Sequence, residues 1–424
     1  MNFNKFLLDP KVAAGISTAG YSTPTPIQTQ TIPKILQGCD LMGLAQTGTG
    51  KTAAFVLPIL HRLLNGKSGR TRALVIAPTR ELAEQIHQAI QLLGSRTGLR
   101  SAAVYGGVGI QPQIKALKSA DIVVACPGRL LDHIGRRTVD FSNLEVLVLD
   151  EADQMFDMGF LPDIRRILTN LPSRRQNLMF SATMPDQIRD LADEILKKPV
   201  RVQVAREAPA STVAHALFPV ARHLKTALLL KLLDSMRAES VLVFTRTKHR
   251  ARQLAVKLGK AGYPSASLQG NLSQAQRRDA MNGFKSGKYS VLVATDIAAR
   301  GIDVSNISHV INYDMPATPE IYIHRIGRTG RAERSGQAFN LITDEDKAIV
   351  AAIQRSMKTP VEQRTLTDFN YHTPVSGAGT RHNPSNTKKP RHRRSGGNQG
   401  LREGKGVFAW LAPRKAKTSA SLPS

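Results

Sequence analysis

Eight consecutive residues, Ala45-Gln46-Thr47-Gly48-Thr49-Gly50-Lys51-Thr52, have the types and spacing needed to hold a phosphate. Gly48 and Gly50 lack a Cβ, so a turn here can bring backbone N–H groups against an anion, and a helix from Thr52 to Leu64 adds its positive N-terminal end. Lys51 supplies a point charge for the outer phosphates, and the Thr52 hydroxyl is placed as a ligand for Mg²⁺. As an exposed loop lysine, Lys51 is expected to contribute little to packing. The usual pattern opens on Gly, and Ala45 departs from it by a single methyl. The glycines alone also fit a turn with no ligand, or the dinucleotide fingerprint Gly48-x-Gly50-x-x-Ala53. Lys directly followed by Thr is demanded by the phosphate loop and irrelevant to both alternatives.

A second chemical constellation is Asp150-Glu151-Ala152-Asp153. The first carboxylate can hold Mg²⁺, directly or through water, and the next can accept a proton from an attacking water. The same residues would also suit a helix N-terminus, and it is the Gly-Lys-Thr loop earlier in the chain that argues for chemistry. Upstream, Pro24-Thr25-Pro26-Ile27-Gln28 behind Gly20-Tyr21 sets an amide and an aromatic ring on a rigid turn, suited to the edge and face of adenine. A plain helix lead-in would use similar residues. Downstream, His324-Arg325-Ile326-Gly327-Arg328-Thr329-Gly330-Arg331 spaces three arginines three apart. Such guanidinium forks can reach phosphate oxygens as an arginine finger supplied in cis; a solvated basic turn is the other reading.

The elements that must position these groups are legible as short apolar runs: Ala73–Ile76, Ala102–Tyr105, Ile122–Ala125, Val146–Leu149 and Leu178–Phe180. Continuous rather than alternating hydrophobicity marks strands covered on both faces, hence a parallel α/β sheet whose ligand groups sit just beyond the strand ends. Pro78-Thr79-Arg80-Glu81-Leu82, Pro127-Gly128-Arg129, Asp150–Asp153 and Ser181-Ala182-Thr183 all follow such runs. A second α/β unit is expected from Val241–Phe244, Val291–Ala294, His309–Asn312 and Ala338–Leu341, with no second Gly-Lys-Thr loop, so it should contribute a face rather than a cradle. The boundaries expected are 1–206 for the first domain, 207–215 for a linker, 216–370 for the second domain and 371–424 for a tail.

The tail carries Lys388-Lys389, Arg391, Arg393-Arg394, Arg414-Lys415 and Lys417 among Gly, Ser, Asn and Pro, with Glu403 as its only acidic residue. It is expected to be disordered, serving either as a non-specific, salt-screened nucleic-acid tether or as a solubilising terminus. The apolar island Phe408-Ala409-Trp410-Leu411 lies within it. Across all 424 residues the formal net charge is +27, which favours a polyanionic partner, nucleic acid ahead of an anionic membrane surface. Runs such as Ala227-Leu228-Leu229-Leu230 are far too short to span a bilayer and the N-terminus does not resemble a signal peptide, so a cytoplasmic setting is expected. Cys39 and Cys126 are too few for a disulfide framework or a zinc site.

Together these motifs resemble, in order and approximate spacing, the DEAD-box ATP-dependent RNA helicases, and within them the bacterial RhlE-like group. The resemblance covers roughly residues 1–370, from Gly20-Tyr21 through Gln28, Ala45–Thr52, Pro78–Ala83, Gly106-Gly107, Pro127–Arg129, Asp150–Asp153, Ser181–Thr183, Val243-Phe244, Gln274–Arg277, Ala294-Thr295-Asp296 and Ala299–Asp303 to His324–Arg331. It implies two tandem RecA-like parallel-sheet domains of the α/β class, with ATP and Mg²⁺ as cofactors and RNA as the partner, gripped through its backbone with little sequence preference. Ribosomal or RNA-decay proteins would be further partners. It also implies roles. Tyr21 and Gln28, supported by Phe3, would recognise adenine, and Ala45–Thr52 would cradle the phosphates. Asp150 would act on Mg²⁺ with Thr52, Glu151 on the water, Asp303 on the ribose, and Arg328 and Arg331 on the γ-phosphate. Asp153, Ser181, Thr183 and His324 would couple nucleotide state to closure, while Arg80, Gly107, Arg129, Gly270, Arg277 and Thr295 would grip RNA. The activity implied is RNA-stimulated ATP hydrolysis that unwinds short duplexes or remodels RNA–protein complexes; an ATP-gated RNA clamp is the alternative. Cys126 and Gln269 stand where the family usually has Thr and His.

Overall fold

Apolar runs too short for a core helix and bounded by turn residues fold here as fully buried strands. In the computed structural model, which describes residues 2–46, 48–204, 213–236, 240–299, 307–330 and 336–374, they build two sheets. The first contains β1 (Leu41–Leu44), β2 (Ala73–Ile76), β3 (Ser101–Val104), β4 (Ile122–Ala125), β5 (Val146–Leu149), β6 (Gln176–Ser181) and β7 (Val200–Gln203), in the order β3-β4-β2-β5-β6-β1-β7. The second contains β8 (Val213–Pro219), β9 (Val241–Phe244), β10 (Ser265–Leu268), β11 (Val291–Ala294), β12 (His309–Asn312), β13 (Gly336–Ile342) and β14 (Glu362–Gln363), in the order β10-β11-β9-β12-β13-β8-β14. All pairings are parallel. The second order is the first shifted by seven strands, so the expected repeat of architecture extends to topology.

Helices cover both faces of each sheet. In the first lobe Phe55, Leu57 and Leu60 of helix Lys51–Leu63 pack with Val75, Val148 and Phe180 on one side, while Leu74, Leu147 and Met179 face Leu130, Ile164 and Ile188 on the other. In the second, Leu228, Leu254 and Leu258 lie on the face opposite to Ala280, Met281 and Phe284. Gly43 admits the Phe180 ring, which would stand 2.6 Å from a Cβ at that position.

The short strand β10, Ser265–Leu268, escapes an apolar-run reading because its edge position leaves three of its four residues only partly buried. β8 begins at Val213, inside the expected linker 207–215, because Val213, Leu217 and Phe218 are buried and the strand runs beside β13. Phe369 and Tyr371 pack against the second lobe's core, so ordered packing reaches the expected start of the tail. Residues 205–212 of the linker and 375–424 of the tail lie outside the described residues. Both sheets belong to one unit that ends at Thr373. Among the described residues no helix is long and apolar enough to cross a membrane.

Candidate functional site

The cradle sits at the carboxyl end of β1, where the Ala45 N–H donates to the Ser181 carbonyl at 3.0 Å and so ties the loop to β6. Gly48 and Gly50 take φ of 88° and 91°, a region closed to most L-residues, and the helix begins at Lys51, one residue before the expected start. Contrary to expectation, Lys51 is buried: its Nζ donates to the Ala45 carbonyl at 2.9 Å, folding the ammonium back into the loop. Gln28 also reaches the cradle, through a hydrogen bond from Nε2 to the Gly50 carbonyl at 3.1 Å, while its Oε1 accepts from the Thr25 N–H at 2.9 Å. Both ends of the amide are thus engaged within the protein, not held open for a base. A Cβ at Gly50 would stand 2.5 Å from Gln28 Nε2, so the glycine is required by this contact as well as by its φ. Phe3 is buried and stacks on the half-exposed Tyr21, with ring centroids 6.3 Å apart. Thr47 lies outside the described residues.

Asp150, Glu151 and Asp153 follow β5, and all three are buried. Burial foremost, then Glu151, pushes the Asp150 carboxyl up to about 7, against the pull of Lys51. Thr52 and the buried Asp150 supply oxygen donors here, and among the described residues no group of three or more His, Cys, Asp or Glu side chains is gathered to hold a metal ion. Glu151 is held at φ 54°, a left-handed conformation that side chains seldom adopt and that recurs at functional sites. Its N–H donates to Asp150 Oδ1 at 3.0 Å.

The four residues to which the resemblance gives a coupling role lie together. Asp153 Oδ2 accepts from the N–H groups of Ala182 (3.1 Å) and Thr183 (2.8 Å) and from Thr183 Oγ1 (3.0 Å). Ser181 Oγ accepts from the Asp153 N–H and donates to the Thr183 carbonyl. From the second lobe, His324 Nε2 lies 3.9 Å from the same Asp153 Oδ2. Burial holds the His324 ring below its ordinary value, with Asp153 pulling the other way. Arg328, one turn on, is buried beside the same cleft, which Gln154, Phe244 and Asp296 also line.

Arg325 departs from the expected row of presented arginines. Its guanidinium is buried, bonded to Asp296 at 2.5 and 2.8 Å and to Asn312 Oδ1 at 2.7 Å, and it lies 4.8 Å from the Phe244 ring centroid. It joins β11 and β12 in place of a phosphate. Asp303 and Arg331 lie outside the described residues.

The residues expected to grip RNA divide into two groups. Arg80 lies so close over Gly107, at φ 81°, that any Cβ there would collide with the guanidinium. Arg129 Nη1 donates to the Val108 carbonyl at 3.2 Å, Thr295 is partly buried at the end of β11, and Gly270 is exposed. Arg277 is different: it is buried, with Nε donating to Glu81 of the first lobe at 2.6 Å and its other nitrogens donating to the Gln269 and Ala298 carbonyls. Here it is a bridge between lobes rather than a free RNA ligand. Glu81 stands inside a motif already quoted, but sequence offered no sign of which cation it would meet. Gln269 is buried too, its Oε1 accepting from the Asn271 N–H at 2.7 Å. Burial, then Glu81, pushes the Cys126 thiol up to about 12.

Residues 25–191 match the DEAD/DEAH box helicase family model and residues 224–333 the helicase conserved C-terminal domain. The chain is 45% identical over 358 residues to the ATP-dependent RNA helicase CshA of Listeria monocytogenes, covering 84% of this chain and 69% of that protein. It is 44% identical over 365 residues to the DEAD-box ATP-dependent RNA helicase CshA of Bacillus subtilis, covering 86% and 74%. Among solved structures it is similar to S. cerevisiae Dbp5 bound to RNA and ADP BeF3, at 31% identity and a TM-score of 0.78, covering 86% of this chain and 95% of that one. The likeness fits two RecA-like lobes of shared topology. The order of its motifs, the duplicated parallel sheet and identity of this extent together show that the chain belongs to the DEAD-box family of ATP-dependent RNA helicases.

Proposed function

We propose that this protein hydrolyses ATP in an RNA-stimulated manner to unwind short RNA duplexes or remodel RNA–protein complexes. The observation that carries the reading is Asp153, whose carboxylate ties the acidic motif to Ser181–Thr183 and faces His324 of the other lobe. One carboxylate thereby senses the nucleotide site and the approach of the lobes. In this reading Lys51 swings from the Ala45 carbonyl to the phosphates, and Gln28 exchanges its internal partners for the adenine edge beside Tyr21 and Phe3. Glu151 takes a proton from water, and Arg328 and Arg331 meet the γ-phosphate. Asp303 holds the ribose. Thr52 and Asp150 are the residues that would hold Mg²⁺, which when bound neutralises phosphate charge. Arg80, Gly107, Arg129, Gly270 and Thr295 contact the RNA backbone, while Arg277 acts through Glu81. The roles of Arg331, Asp303 and the tail rest on sequence.

The finer placement with the RhlE-like group rests on sequence alone, since the bacterial relatives compared carry the name CshA. Cytoplasmic location and ribosomal or RNA-decay partners belong to the same proposal. A strand-displacement assay on short duplexes, run beside a nucleotide-dependent RNA-residence assay, tests the function. Displacement that requires ATP hydrolysis is expected; long residence with no displacement would leave the clamp as the correct reading.

A further inference from the structure

The turn between β3 and helix Ile110–Leu117 contains Gly107, and its carbonyls are held by side chains. Gln113 Nε2 donates to the Tyr105 carbonyl at 3.1 Å and the Gly109 carbonyl at 3.4 Å, and Arg129 holds that of Val108. The N–H groups of Gly106, Gly107 and Val108 donate to no described residue, and Gly107 and Val108 are exposed. Successive unclaimed amides in a turn with a left-handed residue form a concavity suited to an anion. The turn therefore offers donors outward because its acceptors are engaged inward.

The engagement has a second layer. His133 is fully buried, with Nε2 3.3 Å from Gln113 Oε1 and Nδ1 2.8 Å from Thr138 Oγ1. Since Gln113 spends its NH₂ on two carbonyls, its Oε1 must accept, which requires the proton of His133 on Nε2. We propose that His133 and Gln113 are positioning residues for RNA: the Nε2–H tautomer of His133 fixes the Gln113 amide, which sets the Gly106–Val108 amides for an RNA phosphate. This deepens the RNA reading of Gly107 and rests on it. Burial, then Arg129, keeps the His133 ring below its ordinary value, in keeping with a neutral ring. Neither residue touches nucleotide or RNA; both act through the turn.

The test measures RNA-stimulated ATPase against RNA concentration, with hydrogen exchange of the 105–112 segment, in the full chain. His133→Phe keeps a ring but loses the donor, so the half-saturating RNA concentration should rise about tenfold, as for one lost hydrogen bond, with turnover at saturating RNA within about twofold. Exchange should accelerate in 105–112. His133→Gln restores a donor near the Nε2 position and should recover most of the affinity, an effect that a purely structural role would not produce. Equal losses in the Phe and Gln variants, or faster exchange with unchanged RNA dependence, would overturn the positioning role. Gly107→Ala, which displaces Arg80, separates the two failures. If it weakens RNA binding while His133→Phe does not, only the positioning role falls; if it too has no effect, the RNA reading of the turn falls and the inference with it.

Discussion

The nucleotide site stores its readiness in single side chains. Lys51 is bonded to the Ala45 carbonyl and Gln28 to the Gly50 carbonyl, so the two groups proposed for phosphate and adenine are each engaged within the cradle. Lys51→Ala should reduce ATP turnover by about 10³-fold, the scale of a lost electrostatic catalyst. Because the ammonium is buried and bonded, a stability loss of about 1 kcal/mol should accompany it. A steady-state ATPase assay and a thermal melt read the two effects separately, and near-normal turnover would sink the phosphate-loop assignment. Glu151→Gln preserves size and the N–H bond to Asp150 but removes the proton acceptor. ATP and RNA should remain bound without turnover, and rapid RNA release from this variant would count against Glu151 as the base.

At the scale of elements, the second sheet contains a buried polar chain that no hydrophobic pattern announces. From Asp296 it passes through Arg325 to Asn312, then to Asn340 at 2.8 Å, and on through the Tyr322 hydroxyl to His215 at the root of β8. It links the end of β11, beside Thr295, to β8. Its buried members, Arg325, Asn312, Asn340 and Tyr322, are costly to orphan. Asn340→Val should destabilise the protein by about 2–4 kcal/mol, since it removes partners from both Asn312 and Tyr322. Urea unfolding measures this, and a loss under about 0.5 kcal/mol would mean that Asn312 finds another partner without cost.

For the whole molecule, the question is what brings the lobes together. The Arg277–Glu81 pair joins them at 2.6 Å with both side chains nearly buried, and breaking either half strands a charge. Glu81→Gln and Arg277→Gln should lower interlobe fluorescence transfer alike, and a double-mutant cycle should give a coupling of about 1–3 kcal/mol. Additive effects would show that the two residues act separately. Stability should also respond to pH as a global property. Burial lowers the folded pKa of His87, His133, His309 and His324, so as pH falls below about 6.5 the unfolded chain binds protons first and stability drops. The raised Asp150 works in the opposite direction between about 4 and 7. With four groups against one, the urea midpoint should be lower at pH 5.5 than at pH 7.5; a higher midpoint at pH 5.5 would refute this balance.

Whatever depends on neighbours in the chain was legible from sequence. Val146–Leu149 and Val291–Ala294 are strands because only burial on both faces suits unbroken apolar runs, and Gly48 and Gly50 take the left-handed φ that their missing Cβ permits. The grouping of Asp153 with Ser181, Thr183 and His324 came from the family resemblance, and the structure brings the four side chains together. The tertiary structure alone decided which guanidiniums are claimed by distant carboxylates. Arg277 and Arg325 read as phosphate ligands, yet the fold sets them against Glu81 and Asp296, residues 196 and 29 positions away, and burial makes those pairings strong. It also decided that β8 starts within the expected linker and that His133 stands behind the turn at Gly107. Charge and hydrophobicity are properties of a residue, whereas a partner is a property of the path by which two distant segments meet.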